Sequence, residues 1–279
     1  MATNNEGKCC DAVLRIIEEQ HHAKRVDVVR DTATQRGVEV TCTIGGQHYA
    51  LEHTLIEPFP ENQKDNIEFS KIFDEPFEAH VRDLLKADLV YEVHVDVYAF
   101  AGMKVKELSA ARQALIAWLR ATLPSLPVPS EYPQTSIHGD RPEAPVRVRL
   151  SCHRSKALGG RLLPGRVAPA ELETLRRTRL KKALQDKSPK LHAAKLPGTR
   201  TVLVLENADI AVTNASIVGQ VIDHLAQAAA YIPDNIFLVD TGTQNRFYVT
   251  QVRCNGKVCL IVGREAGHWE FEAAALSEI

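Results

Sequence analysis

Hydrophobic positions along this chain follow two rhythms, one of period two and one near 3.6, and the places where the rhythm changes divide it into strands and helices. Residues 10–24 group Val13, Leu14, Ile16 and Ile17 on one side, with Glu18, Glu19, His21 and His22 near the end, which predicts a helix. Alternation then takes over from Val38 to Thr54 and is interrupted only by Gly45-Gly46, so a two-residue hairpin is predicted, ending near Ile56 before Pro58 and Pro60. A roughly helical pattern over 64–86 is broken by Pro76. Residues 90–100 alternate as a strand, and 107–123, with Trp118, form an amphipathic helix. A proline-rich stretch over 124–145 reads as a loop or linker. Beyond it the pattern predicts a strand at 146–152, a helix at 168–185, a strand at 201–206, a helix at 216–230, a strand at 235–240 and a hairpin over 247–262.

The runs 201–205 and 236–239 are almost continuously apolar, as expected of strands covered on both faces. The fold class predicted is therefore α/β, with a mixed central sheet flanked by helices. The 279 residues are read as a single domain, its core formed by 10–56 plus 146–265, with an inserted α/β segment at about 60–145.

The hairpin register brings candidate chemistry into view. A Gly45-Gly46 loop pairs Ile44 with Gln47, and counting back sets Glu39 opposite Glu52. Alternation puts Glu39, Thr41, Thr43, Ala50, Glu52 and Thr54 on one face and turns His53 to the other. Opposed residues have Cβ atoms roughly 4.5–5.5 Å apart, so two carboxylates there repel unless a cation, a proton or solvent relieves them. A divalent metal is one such relief, and a polar hairpin surface is the plain alternative.

With a helix bearing Glu18 and Glu19, an acidic residue on each hairpin arm and αβ elements beyond, the chain resembles the PD-(D/E)xK nuclease superfamily, whose restriction-endonuclease-like core runs αβββαβ. The resemblance implies a divalent ion, Mg²⁺ or Mn²⁺, held by Glu39 and Glu52, an accessory carboxylate from Glu18 or Glu19, and hydrolysis of DNA or RNA. Val38-Glu39 stands where the motif has Pro-Asp, and Glu52-His53-Thr54 where it has Glu-x-Lys. That second segment is similar to a bacterial variant of the superfamily. Thr54 cannot do a lysine's electrostatic work. The resemblance allows the cation to come from a neighbouring helix, with Lys181 or Lys182 as the candidate.

Composition changes this picture in one respect. Net charge is −1, yet between Arg147 and Arg200 fifteen Lys and Arg face only Glu171, Glu173 and Asp186, a net of +12 against −13 elsewhere. This basic segment, 147–200, and within it Arg176, Arg177, Arg179, Lys181, Lys182 and Lys187, is a candidate surface for DNA or RNA. Docking of the basic part on the acidic remainder is the alternative reading. A fold that binds nucleic acid or a protein partner without cleaving it is the other functional class, and a homodimer is left open.

Six cysteines show no disulfide framework, and Cys254 and Cys259 flank a tight turn, which favours packing over a metal site. The histidines have no zinc spacing, and no serine elbow, phosphate loop or dinucleotide fingerprint is present. The N-terminal residues lack a basic-then-apolar signal and no run reaches membrane-spanning length, so a cytoplasmic location without membrane contact is expected.

Overall fold

The computed structural model describes residues 5–30, 37–57, 59–74, 76–129, 135–139, 146–155, 157–167, 170–208, 214–243, 245–259 and 267–279. They form two units, Met1–Pro60 with Glu171–Ile279, and Glu61–Ala170.

The first unit opens with α1 (Glu6–His21), β1 (Arg25–Arg30), β2 (Val40–Ile44) and β3 (Gln47–Leu55). Between β2 and β3, Gly45 and Gly46 both take positive φ, the conformation a two-residue hairpin loop demands and side chains resist. The register is the one read from the sequence, Ile44 opposite Gln47 through Val40 opposite Leu51.

The second unit contains α2 (Asn62–Ile72), α3 (Pro76–Ala79), β4 (Leu89–Asp96), α4 (Val105–Thr122), β5 (Thr135–Gly139), β6 (Val148–Arg154) and β7 (Arg161–Val167). Its four strands lie in the order β5-β6-β4-β7. Val93, Val95, Val148 and Leu150 pack with Leu115, Leu119 and Trp118 of α4. The strand expected to resume the core at 146 is β6, and it instead pairs with β4 here. The insertion is accordingly longer than 60–145. Of the proline-rich stretch, 130–134 and 140–145 lie outside the described residues.

The chain returns to the first unit through α5 (Leu172–Ala193), β8 (Thr199–Asn207), α6 (Ala215–Ala226), β9 (Asn235–Thr243), β10 (Arg246–Cys254), β11 (Lys257–Val258) and β12 (His268–Glu272). The sheet order is β1-β2-β3-β8-β9-β10-β11, with β12 also on β10. Pairs β3–β8 and β8–β9 are parallel and the others antiparallel, so the sheet is mixed.

Helices cover both faces. On one, Val13, Leu14 and Ile17 of α1 pack with Val40, Leu51, Val204 and Phe237. On the other, Leu180, Leu184 and Leu191 of α5 and Val218 and Ile222 of α6 pack with Ala50, Leu203, Leu205 and Ile236. That places β3 in the sheet interior, where even its polar face is sealed by α5. Among the described residues, no helix is long and apolar enough to cross a membrane.

Candidate functional site

Glu52 lies in the middle of β3, beside Leu203 of β8 and on the face covered by α5, and it is fully buried. Glu39 immediately precedes β2, one step beyond the pair Val40–Leu51, and so falls opposite it. The cation that meets both is Lys187, whose Nζ donates to Glu39 Oε1 and to Glu52 Oε2 at 2.7 Å each. The second oxygen of Glu39 accepts the His53 backbone N–H at 2.5 Å. Glu52 Oε1 has Lys190 Nζ at 3.7 Å but accepts no hydrogen bond from the described residues.

Burial, with the Glu39 charge added, holds the Glu52 carboxyl above the usual carboxylate range even though Lys187 pulls it down. Burial also opposes charge on Lys187, but the two carboxylates outweigh it and raise the ammonium above its ordinary value. The site is a pair of acids and one ammonium at the end of a hairpin arm, with one buried carboxylate oxygen that accepts no hydrogen bond from the described residues.

The residues expected to join this pair do not all do so. Lys181 and Lys182 are exposed on α5. They stand six and five residues before Lys187, more than a quarter-turn of the helix away from its direction. Lys187 occurs at the spacing Leu180, Leu184, Lys187, Leu191, where the inward stripe of α5 asks for an apolar residue. A lysine in a leucine stripe was the available signal.

Glu18, expected as accessory carboxylate, accepts from Arg25 Nε at 2.7 Å and from Lys24 Nζ at 3.1 Å. These bonds, beginning with the Arg25 backbone N–H, overcome burial and hold its carboxyl below the usual range. Glu19 is exposed. The reason is the direction of α1: its last turn meets the hairpin loop, where His21 Nε2 and Tyr49 Oη are 2.7 Å apart. Its first turn meets the carboxylate end. Glu6, Glu39 and His53 can each offer one ligand atom there, all within 4.8 Å of one another. The acid that the first helix brings near Glu39 is Glu6, which sequence reasoning did not single out. Glu6 also accepts from Arg30 Nη2 at 3.0 Å. Thr54 is half-buried beyond Glu52.

His53 turns to the α1 face, as alternation places it. There its Nε2 lies 3.0 Å from Glu206 Oε2, on β8. Glu206 Oε1 accepts from Asn5 Nδ2 at 3.1 Å and Thr241 Oγ1 at 2.9 Å. Burial works against the Glu206 charge, but His53, Asn5 and Thr241 together hold its carboxyl below the usual range.

The basic segment divides between the units. In the second unit Arg154, Arg161 and Arg166 pair with Asp88, Glu78 and Asp65. In the first, Arg176 is buried and paired with Glu173, and Lys187 and Lys190 turn to Glu52. Arg177, Lys181 and Lys182 face solvent and Arg179 is half-buried. The set of unpaired, exposed basic residues on α5 is thus smaller than the sequence count implies. Cys254 and Cys259, expected in the core, are half-buried. Comparison with protein-family models, with curated proteins and with solved structures finds no match.

Proposed function

We propose that this chain is a Mg²⁺- or Mn²⁺-dependent nuclease of divergent PD-(D/E)xK type, cleaving phosphodiester bonds of DNA or RNA, with Glu39 and Glu52 as metal-holding carboxylates and Lys187 as the catalytic cation. The observation that carries this reading is Lys187 Nζ at 2.7 Å from both opposed carboxylates. The element order α1, β1, β2, β3, α5, β8 supports it, because it is the αβββαβ order of the restriction-endonuclease-like core interrupted by the second unit.

The donor set fits the ion. Carboxylate oxygens are hard ligands, and Glu52 Oε1 is a buried acceptor with no hydrogen bond from the described residues. A bound divalent ion would activate water and neutralise phosphate charge. Glu39 and Glu52 hold negative charge fixed on a rigid strand pair. Lys187, unable to move far without stranding both, keeps an ammonium where charge develops on a phosphate oxygen. Exposed Arg177, Lys181 and Lys182 supply backbone attraction along α5. In the reaction, a water oxygen bonds to phosphorus, the bond to the leaving sugar oxygen breaks, and that oxygen gains a proton.

Calorimetric titration of Mn²⁺ into the wild-type chain and into Glu39→Gln/Glu52→Gln tests the reading. Binding by wild type that disappears in the double variant, together with Mn²⁺-dependent cleavage, is expected. The competing reading, a non-catalytic nucleic-acid binder, draws on the same lysine, since an ammonium already relieves the acidic pair. It requires no metal binding and chelator-resistant retention of nucleic acid.

A second expectation concerns the outer face of α5. Arg177→Ala/Lys181→Ala/Lys182→Ala should weaken DNA binding uniformly across sequences. The slope of log affinity against log salt should fall by about 0.9 for each lost duplex contact. An unchanged slope would remove α5 from the interface.

A further inference from the structure

A second cluster of ligand atoms lies on the α1 face of β3; it shares His53 with the Glu6–Glu39 group but contains neither Glu39 nor Glu52. Cys9 of α1, His53 of β3 and Glu206 of β8 each offer one ligand atom, all within 4.8 Å of one another, and all three residues are buried. Thiolate, imidazole and carboxylate together form a donor set for a borderline-soft ion, unlike the all-oxygen pair at Glu39 and Glu52.

We propose that Cys9, His53 and Glu206 form a binding site for a zinc-class divalent transition metal, separate from the carboxylate pair. His53 Nε2 and Glu206 Oε2 are 3.0 Å apart. Two ligands on one tetrahedral ion at roughly 2.1 Å stand about 3.4 Å apart, so the spacing needs little adjustment.

The surroundings are those of a supported ligand set. Asn5 Nδ2 and Thr241 Oγ1 both donate to Glu206 Oε1, which fixes the carboxylate and leaves Oε2 directed at His53. The backbone N–H of His53 is held by Glu39, which anchors its strand position. The three ligands come from α1, β3 and β8, so an ion there would tie the first helix to two central strands. On binding, the Cys9 proton leaves to solvent, sulfur takes the ion, and His53 presents the Nε2 lone pair with its proton on Nδ1.

Co²⁺ titrated into the chelator-stripped full chain reads the site directly, because a cobalt–thiolate bond gives intense near-ultraviolet charge-transfer absorption. One equivalent should produce that absorption, and Zn²⁺ should abolish it by displacement. Cys9→Ser should eliminate it, whereas Cys10→Ser, Cys254→Ser and Glu52→Gln should leave it intact. Glu206→Gln, which retains the thiol, should weaken Co²⁺ binding at least tenfold, and it serves as the test should Cys9→Ser fail to fold.

No charge-transfer absorption in the wild type overturns the proposal, as does absorption that survives Cys9→Ser or binding unchanged in Glu206→Gln. Because Glu52→Gln belongs to the other face, loss of Mn²⁺ binding there with retained cobalt absorption separates the fate of the two sites.

Discussion

Lys187→Met is expected to lower the unfolding free energy by about 3 kcal/mol, because it removes the shared partner of two carboxylates and leaves Glu52 charged in the interior. Glu52 is 0 % exposed and the lysine side chain 18 %. Lys190 Nζ, at 3.7 Å, offsets part of the loss. Removing both sides of the interaction should be milder, so Lys187→Met/Glu52→Gln should regain most of the stability. The sign of the pH dependence follows from Glu52. Its folded carboxyl already titrates above the ordinary range, and losing Lys187 raises it further. A raised carboxyl costs stability as pH climbs from the ordinary range through the folded value. The deficit should therefore be larger at about pH 8 than at about pH 5 in urea unfolding. Lys187 itself, raised by its two acids, stabilises fully below its ordinary value and loses that contribution as pH rises through the higher folded one. The double variant separates stability from chemistry: with the fold restored, cleavage should remain at least about 100-fold down. Full cleavage would remove both residues from the mechanism.

What was legible in the sequence is what local pattern dictates. Gly45-Gly46 set the hairpin register and so the opposition of Glu39 and Glu52, since loop length fixes pairing through the next five residues. The apolar runs at 201–205 and 236–239 gave the two-sided burial of β8 and β9. What failed was long-range pairing. The strand at 148–154 has the same alternation whether it joins one sheet or the other, and only its partner β4 decides. Helix α5 was expected to stop at 185 but runs through Pro189 to Ala193. Tertiary packing of Leu184 and Leu191 carries the helix across the lost hydrogen bond. Its inward stripe was obscured by the lysine that the site uses. Which end of α1 meets the carboxylates could not be read at all, because either end of that helix carries an acid. Glu6 and Glu18 stand twelve residues apart, about 18 Å along the axis.

Arg25→Met resolves the role of Glu18 and is expected to cost about 4 kcal/mol. Arg25 Nη2 lies 2.6 Å from Asp11 Oδ1 and its Nε 2.7 Å from Glu18 Oε1. Both acids are nearly inaccessible, at 1 % and 6 %. Arg15 and the Ser277 N–H still serve Asp11, and Lys24 still serves Glu18. The loss is therefore one shared ion-pair partner rather than every hydrogen bond. Glu18 is held below the usual range, so its contribution is present above its ordinary value and disappears as pH falls through the lower folded one. With Arg25 gone that acid-side dependence should shrink, and the variant should converge on wild type toward low pH. This cluster belongs to the end of α1 beside the hairpin loop, whereas Glu39 shares its surroundings with Glu6 at the other end. Mn²⁺ affinity in the folded variant, and in Glu18→Gln, should then match wild type. A drop in Mn²⁺ affinity in Glu18→Gln, measured where both proteins are folded, would return Glu18 to the proposed metal site.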